Sequence, residues 1–142
     1  MIFGTDNVYG KKMNIIEMGI DASIKRGRVI ADNIANADTP FFKRSEVSFE
    51  AQMRRALNSE KKPKYPAVMT NERHIPFESV IDYRTVKPQI SVEYDSIYRN
   101  DKNNVDIDKE AVDASKNALH YNALMEIYSR NIRILDIAMR AT

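Results

Sequence analysis

The last third of the chain constrains the fold more than any other stretch. Ala111, Ala114, Ala118, Tyr121, Met125, Tyr128, Ile132, Leu135 and Met139 follow one another at intervals of 3, 4, 3, 4, 3, 4, 3 and 4, a heptad seam without a break. From Gln89 onward there is neither Gly nor Pro, so nothing interrupts a helix from about Asp106 to Arg140. At about 1.5 Å per residue that helix is a rod of roughly 50 Å. A compact chain of 142 residues cannot easily enclose it. Asp106, Asp108, Glu110 and Asp113 stand at its start and Arg130, Arg133 and Arg140 toward its end, which complements the helix dipole. Leu119, Ala123, Leu124, Ile127, Ile134, Ile137 and Ala138 make it apolar on more than one stripe, as in a helix with several neighbours.

A second seam lies at the other end. Met13, Ile16, Ile20, Ser23, Gly27, Ile30, Ile34 and Ala37 repeat at 3, 4, 3, 4, 3, 4, 3, widened by Ile24 and Ala31. The spacing predicts a helix over about 13–38, stopped at Asp38-Thr39-Pro40 because the residue before a proline is pushed out of the helical region. Its opposite face carries Glu17, Asp21, Lys25, Arg28 and Asp32. Gly27 inside this helix costs about 1 kcal/mol relative to Ala, so the segment gains more from a close partner than from its own propensity. The fold class is therefore mainly α. The simplest burial of both seams is against each other as an antiparallel coiled-coil hairpin; the alternative is burial against equivalent helices of other subunits. The apolar breadth of the last helix favours a mixture. The candidate assembly residues are Met13, Ile16, Ile20, Ile24, Gly27, Ile30 and Ile34 of the first helix, and Ala118, Tyr121, Met125, Tyr128, Ile132, Leu135 and Met139 of the last.

Between the two seams, 41–104 reads as a small insert separating an N-terminal zone, 1–40, from a C-terminal one, 105–142. All five prolines lie from Pro40 to Pro88. Ser48 is placed to cap a short helix through about Leu57, with Phe49, Met53 and Leu57 on one face and Glu50 in the first turn. Asn58 to Pro66 reads as an exposed loop. Alternation over 80–83 and 90–94 predicts half-buried strands, which Pro76 and Pro88 restrict to short or edge positions.

Several chemistries are excluded. Gly4, Gly10, Gly19 and Gly27 lack phosphate-loop or dinucleotide spacing. With no Cys and only His74 and His120, a thiolate zinc site is impossible and an imidazole one poorly supplied, so no metal or cofactor is expected. No apolar run exceeds three residues, which rules out a transmembrane span and a secretory signal of the usual kind. Ser115 and Ser129 have no base at a sensible offset, and Asp106 and Asp108 have a structural reason to sit at a helix start, so catalysis is not expected. From Lys43 to Lys64 there are 7 basic and 3 acidic residues. Their interleaving with Glu46, Glu50 and Glu60 suits a solvated surface better than a nucleic-acid stripe.

Two stretches go beyond periodicity. They are Asn33-Ile34-Ala35-Asn36-Ala37-Asp38-Thr39-Pro40-Phe41-Phe42-Lys43, and Asn103-Asn104-Val105-Asp106-Ile107-Asp108-Lys109-Glu110 followed by Tyr121, Leu124 and Asn131. Asn33 and Asn36 share one helix face beside Ala35 and Ala37, where their amides can bond an approaching backbone; the alternative is that Asn36 and Asp38 simply end the helix. Together the stretches resemble the flagellar basal-body rod proteins of the axial rod and hook family, and the run from Asn103 to Glu110 is similar to the FlgB type in particular. The resemblance rests on Asn33, Ala35, Asn36, Thr39, Pro40, Lys43, Asn103, Asn104, Val105 and Asp106. Phe41 and Lys102 depart from it, standing where the family commonly has Gly. The resemblance implies a structural subunit of the rod that crosses the periplasm, exported without a cleaved signal. It implies partners among other copies, other rod proteins, the proximal membrane ring and the export apparatus, with no nucleic acid and no small-molecule substrate. The competing reading is a non-flagellar coiled-coil adaptor or a basic nucleic-acid-binding module, neither of which needs these two stretches.

Overall fold

Helix dominates because the prolines that forbid it are confined to the middle of the chain. The computed structural model describes residues 8–61, 71, 73, 80–94 and 100–140. Helix α1 (Val8–Ala35) leads into strand β1 (Ser45–Ser48) and helix α2 (Glu50–Lys61). A 3-10 turn (Tyr83–Thr85), strand β2 (Gln89–Val92) and the long helix α3 (Ile107–Arg140) complete the order. Among the described residues no helix is long and apolar enough to cross a membrane.

The two terminal helices pack together and run antiparallel. At one end the Tyr9 hydroxyl donates to the Asn131 carbonyl at 2.7 Å. Midway Asn117 Nδ2 donates to the Ser23 carbonyl at 2.9 Å. At the far end Asn33 Nδ2 reaches Glu110 Oε2 at 3.2 Å. On α1, Met13, Ile16, Ser23 and Ile30 are buried, on the stripe that also holds Ile20 and Gly27, whereas Ile24 and Ile34 are exposed. On α3 the inward stripe is Glu110, Ala114, Asn117, Tyr121, Leu124, Tyr128, Asn131 and Leu135, all buried or half-buried. It keeps the heptad interval but is turned by one position from the most apolar choice. Tyr121, Tyr128 and Leu135 face inward, while Ala118, Met125, Ile132 and Met139 are exposed.

The opposite side of α1 carries the insert. Ile15, Met18 and Ala22 pack with Phe49, Met53, Ala56 and Leu57 of the α2 region and with Tyr83 and Val86. Arg26 Nη2 binds both carboxylate oxygens of Glu50, at 2.7 and 2.8 Å. Burial works against the Glu50 charge, but the Arg26 hydrogen bond outweighs it and holds the pKa below the usual value. Lys11 pairs with Glu60 farther along. Helix α1 is thus a middle layer, with α3 on one side and the insert on the other.

Within the insert the structure departs from the sequence expectations. Ser48 is the last residue of β1 rather than a helix cap, and the α2 ladder starts from the Phe49 carbonyl, which accepts from the Met53 N–H at 2.9 Å. Helix α2 continues to Lys61, so Asn58 to Lys61 are not loop; the rest of that expected loop, 62–66, lies outside the described residues. Positions 80–83 form no strand, because Asp82 accepts from the Arg84 N–H at 2.9 Å and caps the 3-10 turn. The second expected strand exists as β2, but over 89–92 rather than 90–94 and with all four residues exposed rather than half-buried, because it is covered on neither face; it pairs antiparallel with β1 in the register Ser45↔Val92 to Ser48↔Gln89. Helix α1 ends at Ala35, three residues before the expected stop at 38, in a last turn where the Asn36 N–H is shared between the Asp32 and Asn33 carbonyls, both at 3.2 Å.

Two glycines of α1 lie close against α3. A Cβ on Gly19 would lie 3.3 Å from a Leu124 methyl, and one on Gly27 the same distance from Asn117 Nδ2. The leucine methyl can swing aside, whereas the amide is fixed by its bond to Ser23. Gly19→Ala is therefore expected to gain stability of about 0.5–1 kcal/mol from helix propensity. Gly27→Ala loses roughly as much by disturbing the Asn117 bond and comes out near zero. Urea unfolding of the two variants checks this difference, and equal gains would contradict it.

Candidate functional site

Where α1 ends, β1 begins and α3 starts, three asparagines and one ion pair tie the chain together. The Asn33 side chain behaves as a short neighbouring strand: its Oδ1 accepts from the Ser45 N–H at 3.0 Å and its Nδ2 donates to the Ser45 carbonyl at 2.8 Å. These two bonds satisfy the start of the outer edge of β1, which otherwise presents open backbone groups, and Arg26 Nη2 reaches the Val47 carbonyl farther along at 3.4 Å. Asn104 is inserted into the other edge. Arg44 N–H donates to Asn104 Oδ1 at 2.6 Å, Asn104 Nδ2 donates to the Glu93 carbonyl at 2.7 Å, and the Glu93 N–H returns directly to the Arg44 carbonyl at 2.9 Å. The carboxamide relays one bond of the ladder just beyond the last pair of the sheet.

Asn103, with no exposed surface, holds the turn after α1. Its Nδ2 is shared among the carbonyls of Asn36, Ala37 and Thr39 at 2.9 to 3.0 Å, and its Oδ1 accepts from the Val105 N–H at 2.8 Å. Asp106 then caps α3, with Oδ1 accepting from the N–H groups of Asp108 and Lys109 at 3.0 and 3.2 Å. Only short polar side chains can reach backbone at both ends of such turns.

Beneath the asparagines sits a buried charge pair. Glu110 has no exposed surface, and its Oε1 accepts from Arg44 Nε at 2.6 Å while Oε2 takes the Asn33 amide. The remaining Arg44 nitrogens reach Glu46, Glu93 and Asp113 at 3.3 to 3.4 Å. Burial alone lowers the Arg44 pKa, but the hydrogen bond and charge of Glu110 outweigh it, so the guanidinium stays protonated at every accessible pH. Sequence reasoning passes over Arg44 and reads Glu110 only as a helix-start acid. The available signal is that Glu110 shares a seven-residue stripe with Asn117, Leu124 and Asn131, where an acid needs a cation opposite.

Asn33, Asn103, Asn104, Val105 and Asp106 of the two stretches are thus brought together, and Lys43 joins them by donating to the Lys102 carbonyl at 2.9 Å. Asn33 does bond an approaching backbone, that of its own chain. Asn36 bonds back to the Asp32 carbonyl at 2.8 Å and closes the helix. Ala35, Thr39 and Pro40 are exposed. Away from the junction, the outward face of α3 is a further candidate surface, with Leu119 at 71% and Ile137 at 60% exposure. Among the described residues no cluster of metal-ligating side chains occurs.

Phe41 and Lys102 lie side by side in the left-handed region, with φ of 64° and 61°. The Phe41 N–H donates to the Asp101 carbonyl at 3.0 Å and the Lys102 ammonium lies over the Phe41 ring, 5.9 Å from its centre. For a side chain bulkier than Asn this backbone costs about 1–3 kcal/mol, and Gly avoids that cost.

The geometry of the junction fixes the sign of four substitutions. Arg44→Met strands a buried carboxylate and is expected to lose roughly 3–5 kcal/mol, most of it recovered when Glu110→Leu is added; a double-mutant cycle by urea unfolding measures both. Phe41→Gly and Lys102→Gly are each expected to gain about 0.5–1 kcal/mol after allowing for the looser unfolded chain. A lower urea midpoint in either glycine variant would show that the turn is not strained.

Comparison with known proteins adds an independent observation. The chain is 37% identical over 135 residues to the flagellar basal body rod protein FlgB of Borrelia hermsii, covering 90% of this chain and 100% of that one. Identity is 32% over 135 residues to the FlgB of Borreliella burgdorferi, with the same coverage. It is 35% over 105 residues to the FlgB of Bacillus subtilis, 74% of each chain. No protein-family model matches.

Proposed function

The chain belongs to the FlgB family of flagellar basal body rod proteins, and from that premise we propose that it is a structural subunit of the rod, polymerising through its two terminal helices. On this reading α1 and α3 form a coiled-coil hairpin whose outward faces meet other copies and other rod proteins. The assembled shaft crosses the periplasm and transmits torque, with the proximal membrane ring and the export apparatus as neighbours. The chain is a scaffold rather than an enzyme.

The observation that carries the reading is the inversion of α3. Of its 34 residues only Glu110 and Asn131 are buried, both polar. Ala118, Met125, Ile132 and Met139 form an exposed stripe at intervals of seven, and Ile127, Ile134 and Ile137 another. Each large aliphatic side chain left in water forgoes about 1.5–3 kcal/mol of burial free energy. A helix that places Glu110, Asn117 and Asn131 on the internal seam while leaving Met125, Ile132, Ile134 and Ile137 outside is built to be covered by neighbours.

Ile132→Asp tests this, because Ile132 is exposed and the substitution leaves the internal seam intact. The expected outcome is an unchanged thermal midpoint for the isolated chain, with loss of swimming and of rod incorporation in cells relying on the variant. Normal swimming would contradict the assembly role of this face.

A further inference from the structure

Phe41 combines three features that rarely coincide: a left-handed backbone, 69% exposure and a cation held against its ring. The backbone bonds around it aim the ring outward, so it is a presented side chain rather than a loose one. Lys102, which accompanies it, has no carboxylate partner among the described residues.

The chain also carries a seat of matching chemistry. On the α1 flank facing the 3-10 turn and the start of β2 lies a groove of about 350 Å³, with Met18, Val86 and Pro88 as its apolar part. Glu17 and Asp21 stand along its α1 rim, and two cations stand on the opposite one, Lys87 and Arg84, the latter lying over the Tyr83 ring. Among the described residues neither acid is paired with a cation, Glu17 accepting only from the Tyr128 hydroxyl at 3.1 Å. The larger groove, about 720 Å³ beside β1, lacks this property. Its acids are already neutralised, Glu50 by Arg26 at 2.7 Å and Glu46 and Asp113 by Arg44 at 3.4 Å.

We propose that Phe41 of one copy seats in the Met18–Val86–Pro88 groove of another copy, with Lys102 of the first meeting Glu17 and Asp21 of the other. Roughly 25 Å of helix separates Met18 from the end of α1 at Ala35, so the ring cannot reach its own groove. Knob and seat are different surfaces, which makes the contact heterologous. Such a contact repeats into an open helical array instead of closing on itself. This inference rests on the rod-subunit reading and adds to it a contact outside the α3 stripes.

The absence of native Cys makes cross-linking between full-length chains clean. A Thr39→Cys chain, which keeps Phe41 and Lys102, is mixed with a Lys87→Cys chain and treated with a short bismaleimide. The expected result is mixed dimer at several-fold the yield given by Thr39→Cys with Lys116→Cys in the larger groove. Adding Phe41→Ser to the first chain abolishes that excess. Lys102→Glu also abolishes it, and Asp21→Lys in the partner chain restores it. Equal yields for the two grooves, or indifference to Phe41→Ser, would overturn the proposal. Self-cross-linking of an Ile132→Cys chain separates the two claims: if it forms while the 39–87 product does not, the α3 assembly surface stands and the seat is wrong. If neither forms, both fall.

Discussion

A carboxylate with no solvent contact needs a cation at hydrogen-bond distance, and everything around Glu110 follows from supplying one. Desolvating an ion of this kind costs several kcal/mol, recovered only when its oxygens are all satisfied. Arg44 fills one oxygen at 2.6 Å and Asn33 the other. Those two residues in turn fix β1, since Arg44 opens the strand and Asn33 bonds both backbone groups of Ser45. Two short strands are marginal alone. Here they persist because side chains from α1 and from the approach to α3 complete their hydrogen bonds. The junction sets where the insert sits relative to the helix pair.

The same pair explains why α3 is rotated away from its most apolar choice. An acid anchored beneath Arg44 at the first turn of the helix puts Asn117, Leu124 and Asn131 on the inward stripe with it. Asn117 tolerates that position because α1 offers a carbonyl at Ser23, and Asn131 because its amide bonds back to the Ile127 carbonyl of its own helix at 2.7 Å while the Tyr9 hydroxyl donates to its backbone carbonyl. Gly19 and Gly27 let the backbones come close enough for such short side chains to matter. The apolar residues are left outward as a consequence, and the surface read as the assembly face is the by-product of a polar internal seam.

Helix positions, their heptad interval and their mutual packing are legible in the sequence, because a long run free of Gly and Pro with apolar residues every three or four positions admits little else. Which heptad stripe of α3 turns inward is not legible, because hydrophobic spacing ranks Met125 and Ile132 above Asn117 and Asn131 until their partners are known. Strand β1 is hidden for a related reason: Ser45-Glu46-Val47-Ser48 has one buried apolar residue, and its stability comes from Asn33 and Asn104, distant in sequence. The role of the asparagines is half legible. Asn33 does reach across to backbone, but within its own chain. Phe41 and Lys102, which in the sequence are departures from a glycine pattern, prove to be the two non-glycine residues with positive φ among those described.

The central claim is that side-chain amides and one buried ion pair, rather than an apolar core, hold the junction in place. Native-state hydrogen exchange on the full-length chain tests it most directly, through the N–H groups of Arg44, Ser45 and Val105, which donate to Asn104, Asn33 and Asn103. If the account is right, these three amides exchange only through global unfolding, with the same free energy as the middle of α1. Exchange as fast as at the frayed ends of the helices would contradict it.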